Sequence, residues 1–232
     1  MKMEGACKQA LILAAGIPCM NIWYKWPMDS KPKCLAHVNG QIILERNVKI
    51  FRKYGIEDII VVVNYRKDDI IKFSKDNNLN LIFVESPSCI AHDDAFESFR
   101  VGLEKMKNES FIFFEGDVTC SEEFFANLIC HKKEFLLAGY NSTIKKNEVE
   151  MRIAKINKSY LPSDFNELKK EIMKFKTTHH PFEIGFFYYL QIIQHAVILP
   201  YVNGHVIEID FYEHCDEGSR KKLIRKYIKE IL

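Results

Sequence analysis

"QIILERNVKIFRKYGIEDIIVVVNY", residues 41–65, decides how the chain must be built. Leu44, Val48 and Phe51 recur at helical spacing, so Gln41–Tyr54 is expected to be an amphipathic helix with one apolar face. Gly55 follows, and glycine most readily adopts the left-handed backbone that closes a helix. The next run, "DIIVVVNY" over 58–65, is apolar and β-branched at consecutive positions, as a strand covered on both faces is. Helix, left-handed stop and buried strand in one short stretch form the repeating unit of an α/β fold.

The same rhythm extends on both sides. "QALILAAG" (9–16), "LNLIFVE" (79–85), "SFIFFEGD" (110–117) and "EFLLAGY" (134–140) read as strands. Helices are expected over Lys67–Lys75, over Ala95–Lys107 with Phe99, Leu103 and Met106 aligned, and over Glu122–His131. Such alternation implies a largely parallel sheet with right-handed crossovers and helices on both faces. After Tyr140 the rhythm changes. "VEMRIAKI" (149–156), a polar helix near Ser163–Phe175, "FEIGFFYYL" (182–190) and "HVIEIDF" (205–211) suggest a mixed, partly antiparallel second half, closed by a helix over Asp216–Leu232 with Leu223, Tyr227 and Ile231 in register. No repeat, low-complexity segment or Pro/Gly/Ser linker interrupts the chain, so residues 1–232 are read as one domain with halves 1–140 and 141–232.

Composition narrows the function. Lys and Arg number 33 against 31 Asp and Glu, a balance that lacks the basic excess of a nucleic-acid binder. The seven cysteines, at 7, 19, 34, 89, 120, 130 and 215, are odd in number and never spaced as C-x-x-C, which argues against a disulfide framework or a zinc site and suits a reducing compartment. Ala10–Ala15 is too short for a membrane span and shows no signal-peptide pattern. A cytoplasmic protein with neither nucleic-acid nor membrane partner is expected.

In an open α/β sheet, ligands gather beyond the carboxyl ends of the strands, and four sets of residues stand there. Ala14, Ala15 and Gly16 are small enough to let backbone approach a flat base or a phosphate, although the tripeptide alone reads more readily as an ordinary strand-to-loop turn. Neither G-x-x-x-x-G-K-[ST] nor G-x-G-x-x-G is present. Lys33 follows Pro32, whose fixed backbone could aim the ammonium at phosphate oxygens; the alternative is a surface lysine. Asp117, after Gly116 at the end of "SFIFF", is either a turn residue or one carboxylate of a divalent-cation site. Alternation in "IEIDF" puts Glu208 and Asp210 on one strand face, where they are solvent-facing charge or a second carboxylate for the same cation. His179 and His180 have no Cys or His partner at ligand spacing and read as a polar loop.

Taken in order, "ALILAAG", "KPKCLAHVNGQIILERNVKIFRKYGIEDIIVVVNY", "FIFFEGD" and "VIEID" resemble the nucleotidylyltransferase family of sugar-phosphate and phosphocholine activators, and most of all its CTP:phosphocholine cytidylyltransferase branch. The resemblance runs along nearly the whole chain and is densest from Lys31 to Tyr65. It implies a Rossmann-like GT-A domain with a mixed, mainly parallel sheet, in which the 1–140 half binds nucleotide and the 141–232 half binds acceptor. Backbone of Leu13, Ala14, Ala15 and Gly16 would meet the nucleobase, Lys33 would neutralise phosphate, and Asp117 and Asp210 would hold Mg²⁺. The implied reaction is attack by a substrate phosphate oxygen on the α-phosphorus of a nucleoside triphosphate, CTP first among them, with pyrophosphate leaving. The implied partners are that triphosphate and a small phosphorylated acceptor such as phosphocholine or a sugar phosphate, the chain itself being a monomer or homodimer.

Two departures from the family pattern are visible. Where the family continues AAG with x-G-x-R, this chain has Ile17, Pro18, Cys19 and Met20, and Lys25, flanked by Trp23, Tyr24 and Trp26, is the sole basic residue between Gly16 and Lys31. Lys25 is therefore assigned to the triphosphate. In "AHDDAFESF", Asp94 occupies the place where relatives present an Asn to the ligand. For a quaternary ammonium on the acceptor, Tyr188 and Tyr189 are the aromatic candidates, with Trp23, Trp26 and Tyr212 beside them and Glu208 as a charged partner; the alternative for "FFYYL" is a buried strand. Two other functions fit the same residues: a GT-A glycosyltransferase using a nucleotide sugar, and a non-catalytic nucleotide- or partner-binding member.

Overall fold

A computed structural model describes residues 7–16, 31–87, 94–140, 153–161, 163–167, 170, 197–201 and 206–208; of 94, 95, 137–140, 197–201 and 206–208 it describes the backbone alone. In chain order these form β1 (Gln9–Ala14), β2 (His37–Val38), β3 (Gln41–Ile42), α1 (Ile43–Lys53), β4 (Asp58–Val63), α2 (Lys67–Asp76), β5 (Ile82–Glu85) and α3 (Asp94–Leu103). There follow β6 (Ser110–Glu115), β7 (Val118–Cys120), α4 (Glu122–Cys130), β8 (Leu136–Tyr140), β9 (Ile153–Asn157), β10 (Val197–Tyr201) and β11 (Val206–Glu208).

The main sheet runs β10-β8-β9-β6-β1-β4-β5. β1 lies inside it, parallel to β4 on one side and β6 on the other; β4 is parallel to β5 and β8 to β10. Among the described strands of this sheet only β9 runs against its neighbours, β6 and β8, which makes the sheet mixed and mainly parallel, as expected. Two small ladders stand apart from it: the β2–β3 hairpin and the antiparallel pair β7–β11.

Consecutive apolar residues in the central strands are explained by two cores. Ala10 and Ile12 of β1, Ile59, Val61 and Val63 of β4, and Ile112 and Phe114 of β6 face Leu44, Val48 and Phe51 of α1, Ile70 of α2 and Phe125 and Leu128 of α4. The alternate residues Leu11, Ile60, Val62, Phe111 and Phe113 face Phe96, Phe99 and Leu103 of α3. Period-two alternation therefore sends both sets of side chains into apolar layers, and a strand so placed needs no polar face.

The end of α1 forms as its sequence requires. Gly55 takes φ +80, its N–H donates to the Arg52 carbonyl at 3.0 Å, and the Ile56 N–H donates to the Phe51 carbonyl at 3.1 Å. This pair of bonds satisfies carbonyls that the last turn would otherwise leave open. Its start is corrected: Gln41 and Ile42 belong to β3, and the helix begins at Ile43. Asn39 and Gly40, at φ 50 and 77, make a two-residue turn that pairs Val38 with Gln41, the geometry an Asn-Gly pair favours.

The other helices keep their expected places with shifted ends: α3 spans Asp94–Leu103, shorter than the Ala95–Lys107 pattern. Of the polar helix near Ser163–Phe175, residues 165–167 and 170 are helical, Ser163 and Asp164 are not, and the remainder lies outside the described residues. The "FEIGFFYYL" strand and the closing helix lie outside them too. β10, "VILPY", is a strand that the sequence pattern did not disclose.

Candidate functional site

β1 leaves the sheet between β4 and β6, so the segment beyond it meets the segments that leave both neighbours. The Tyr65 N–H, just beyond β4, donates to the Ala15 carbonyl at 3.2 Å. The Gly116 N–H, just beyond β6, donates to the Leu13 carbonyl at 2.7 Å. Ala15 turns its methyl into the α3-side core, while a Cβ on Gly16 would meet nothing within 4 Å. The Ala-Ala-Gly segment thus presents backbone and open space at the carboxyl edge, which is what close approach of a flat ligand demands. Gly116 is required there for a different reason: a Cβ would lie 2.6 Å from the Leu13 carbonyl oxygen and 2.9 Å from the Ala14 Cα.

Because Gly116 passes so close to β1, Asp117 is set beside the same edge. Its carboxylate accepts from Lys33 Nζ at 2.9 Å, with side-chain exposures of 10% for Asp117 and 19% for Lys33. Lys33 starts a 3-10 turn over Lys33–Leu35 that Pro32 enters at φ −51 and ψ 136, and the Leu35 N–H closes onto the Pro32 carbonyl at 2.9 Å. Proline supplies the turn's entry dihedral at little entropic cost. The neighbouring thiol of Cys34 is pushed up to about 12, first by burial and then by the negative charge of Asp117. The result is one ammonium and one carboxylate paired beside the backbone that follows β1.

The remaining residues singled out from sequence fall in several places. Glu208 ends β11 opposite Val118, the residue after Asp117. Asp94 is the first residue of α3. Lys25, Tyr188, Tyr189, Asp210, Trp23, Trp26 and Tyr212 lie outside the described residues. Among the described residues no three His, Cys, Asp or Glu side chains are grouped to hold a metal. Among the described residues the hard carboxylate of Asp117 suits Mg²⁺, which takes one or two carboxylates and fills its shell with water and phosphate oxygens, better than zinc.

A model of the MobA-like NTP transferase domain matches residues 10–145, more than half of the chain. The chain belongs to this family. The choline-phosphate cytidylyltransferase of Streptococcus pneumoniae (strain ATCC BAA-255 / R6) is 26% identical over 159 residues, 64% of this chain and 66% of that relative, so the match spans slightly less than two thirds of its length. Among solved structures, the inositol-1-phosphate CTP transferase from T. maritima aligns with a TM-score of 0.62 at 14% identity, covering 98% of each chain. The 4-diphosphocytidyl-2C-methyl-D-erythritolsynthase from Anaerococcus prevotii DSM 20548 aligns at 0.60 and 16%, covering 97% of this chain and all of its own. These structural likenesses establish the fold.

In this MobA-like chain the sequence pattern alone passes over a polar group beside the site. Asn47 of α1 is buried, donates from Nδ2 to the Val118 carbonyl at 2.8 Å, and accepts from Thr119 Oγ1 at 2.7 Å. The signal was present: Asn47 stands three residues after Leu44 on the apolar face, where a polar side chain needs a buried partner. Arg46 beside it donates to the Cys120 carbonyl at 3.3 Å. On the other flank, Asn64 donates to the Ser86 carbonyl at 2.7 Å and Ser98 of α3 to the Ser86 hydroxyl at 3.0 Å, tying the carboxyl ends of β4 and β5 to α3.

Proposed function

We propose that the protein is an Mg²⁺-dependent nucleotidylyltransferase that moves a nucleoside monophosphate, CMP in the first instance, from its triphosphate to a small phosphorylated acceptor of the phosphocholine or sugar-phosphate kind. The observation that carries this reading is the Lys33–Asp117 pair at the edge where β1 presents the Ala-Ala-Gly backbone. Family membership supports nucleotidyl transfer, and the cytidylyl-type names of the relatives support CTP.

The chemistry asks little of the protein beyond positioning and charge. An acceptor phosphate oxygen is already anionic at neutral pH, so no side chain need remove a proton from it. That oxygen forms a new bond to the α-phosphorus while the bond from the α-phosphorus to the bridging oxygen of pyrophosphate breaks. Backbone at Leu13–Gly16 would seat the base. Lys33, a compact point charge, would leave Asp117 for the phosphate oxygens on which charge builds. Asp117, with Asp210 as its partner carboxylate, would hold Mg²⁺, which when bound neutralises the triphosphate and orients it.

The test is a pyrophosphate-release screen of the four triphosphates against a panel of phosphorylated acceptors, with and without Mg²⁺. One Mg²⁺-dependent pair is expected, CTP with a phosphorylated amino alcohol or sugar. Asp117→Ala and Lys33→Ala should each lower kcat/KM by about 10²-fold or more, the usual scale for removing a charge that stabilises a transition state. Absence of pyrophosphate in every combination, with triphosphate binding still measurable by calorimetry, would instead establish a non-catalytic binding protein, the reading that the Ile17–Met20 departure favours.

A further inference from the structure

We infer that Asn47 is a positioning residue that holds the Asp117 carboxylate in register for its cation; the inference rests on the metal-binding role proposed for Asp117. β7 begins immediately after Asp117 and is one edge of the β7–β11 ladder, so one side of it is held by β11. The other side faces α1. There the carbonyls of Val118 and Cys120, alternate residues whose oxygens point to the same edge, receive Asn47 Nδ2 at 2.8 Å and Arg46 Nη2 at 3.3 Å. Two side chains of a helix thus stand where a further strand would otherwise pair. Thr119 Oγ1, donating to Asn47 Oδ1 at 2.7 Å, fixes which way the amide points.

The same helix governs Lys33. The first N–H of α1, at Ile43, donates to the Ala36 carbonyl at 3.0 Å, one residue beyond the Lys33–Leu35 turn. α1 is therefore tied at its first turn to the segment carrying Lys33 and through Asn47 to the segment carrying Asp117. Asp117 itself lies between two anchors, the Gly116 N–H on the Leu13 carbonyl before it and the Asn47 amide on the Val118 carbonyl after it. Removal of the second anchor leaves the backbone after Asp117 held by β11 and, two residues farther on, by Arg46 at the Cys120 carbonyl. Groups that orient a metal ligand without touching the metal are typically worth about 10- to 100-fold in affinity or rate.

The experiment uses Mn²⁺ as the probe, titrated into the full chain and followed by the loss of the free-ion electron paramagnetic resonance signal, alongside kcat and KM for the triphosphate. Asn47→Ala and Thr119→Val are expected to weaken Mn²⁺ binding about 10-fold and to lower kcat more than they alter KM, with Thr119→Ser restoring both. If these variants melt at lower temperature yet bind Mn²⁺ like the parent, the role of Asn47 is structural and the inference is overturned while the function stands. If Asp117→Asn binds Mn²⁺ as tightly as the parent, the metal assignment fails and the inference falls with it. Should Asn47→Ala not fold, the Thr119→Val and Thr119→Ser pair gives the same decision.

Discussion

At the residue scale, close packing around Asp117 makes two small groups consequential. Gly116→Ala would drive a methyl into backbone atoms of Leu13 and Ala14, which cannot rotate away as a side chain can. Overpacking of this kind costs about 1–3 kcal/mol. Thermal melts should show that loss, and turnover should fall with it because Asp117 moves with its neighbour. The second case is the pair of buried thiols, Cys34 and Cys120, each raised from 9.0 to about 12, with burial as the first cause for both. A thiol whose folded pKa lies above its unfolded value keeps its proton longer in the folded state. Its stabilising contribution is therefore complete below pH 9 and is lost as pH rises toward 12. Urea midpoints measured across that window should fall with pH, and the slope should flatten in the Cys34→Ala and Cys120→Ala variants.

At the element scale, α1 links both halves of the site, and its hold on the sheet is aromatic. Phe51 is fully buried, with ring centroids 4.9 Å from Phe114 of β6 and 5.2 Å from Phe125 of α4. Phe51→Ala should destabilise the fold by about 3–5 kcal/mol in chemical denaturation, while Lys53, exposed at the helix end, should be replaceable with little effect. The elements that sequence disclosed best were those with a local cause: α1 with its Gly55 stop, the consecutive apolar strands, and α4. Others depended on partners far away in the chain. β10 contains Pro200, which argues against a strand until the segment is found at the sheet margin, where a missing N–H is tolerated. Lys155 looks like a solvent-facing residue of β9 but is buried, donating to the carbonyls of Ile129 and His131 at the end of α4, where a cation offsets the helix dipole. Asn47 hid in the same way, as a polar residue on a face defined by its apolar neighbours. Lys33 and Asp117 were legible as separate candidates, whereas their 2.9 Å approach depended on a turn, a glycine and a helix no motif describes together.

For the whole molecule, charge is nearly balanced and the described sheet is covered by apolar layers on both faces, so a ligand can approach its strands at their ends, where Lys33 and Asp117 stand. Among the described residues no helix is long and apolar enough to cross a membrane. The large sheet and the β7–β11 ladder differ in how much pairing rewards the chain they close. β1 and β6 bring together distant segments and gain five paired residues, with β4 beside them, whereas β7 and β11 close a comparable span for three. Closing a long loop costs entropy that a short ladder repays poorly, and chains of this size commonly pass through partly ordered states. A refolding chain should therefore regain its far-ultraviolet circular dichroism before it regains the Mn²⁺ binding proposed for Asp117, and stopped-flow dichroism beside a timed Mn²⁺ assay would separate the two phases. Simultaneous recovery would mean that the small ladder forms with the large sheet. Otherwise the main sheet forms first and the Asp117 edge afterwards, so that a chain interrupted late in folding would be compact yet without the arrangement its proposed ligands need.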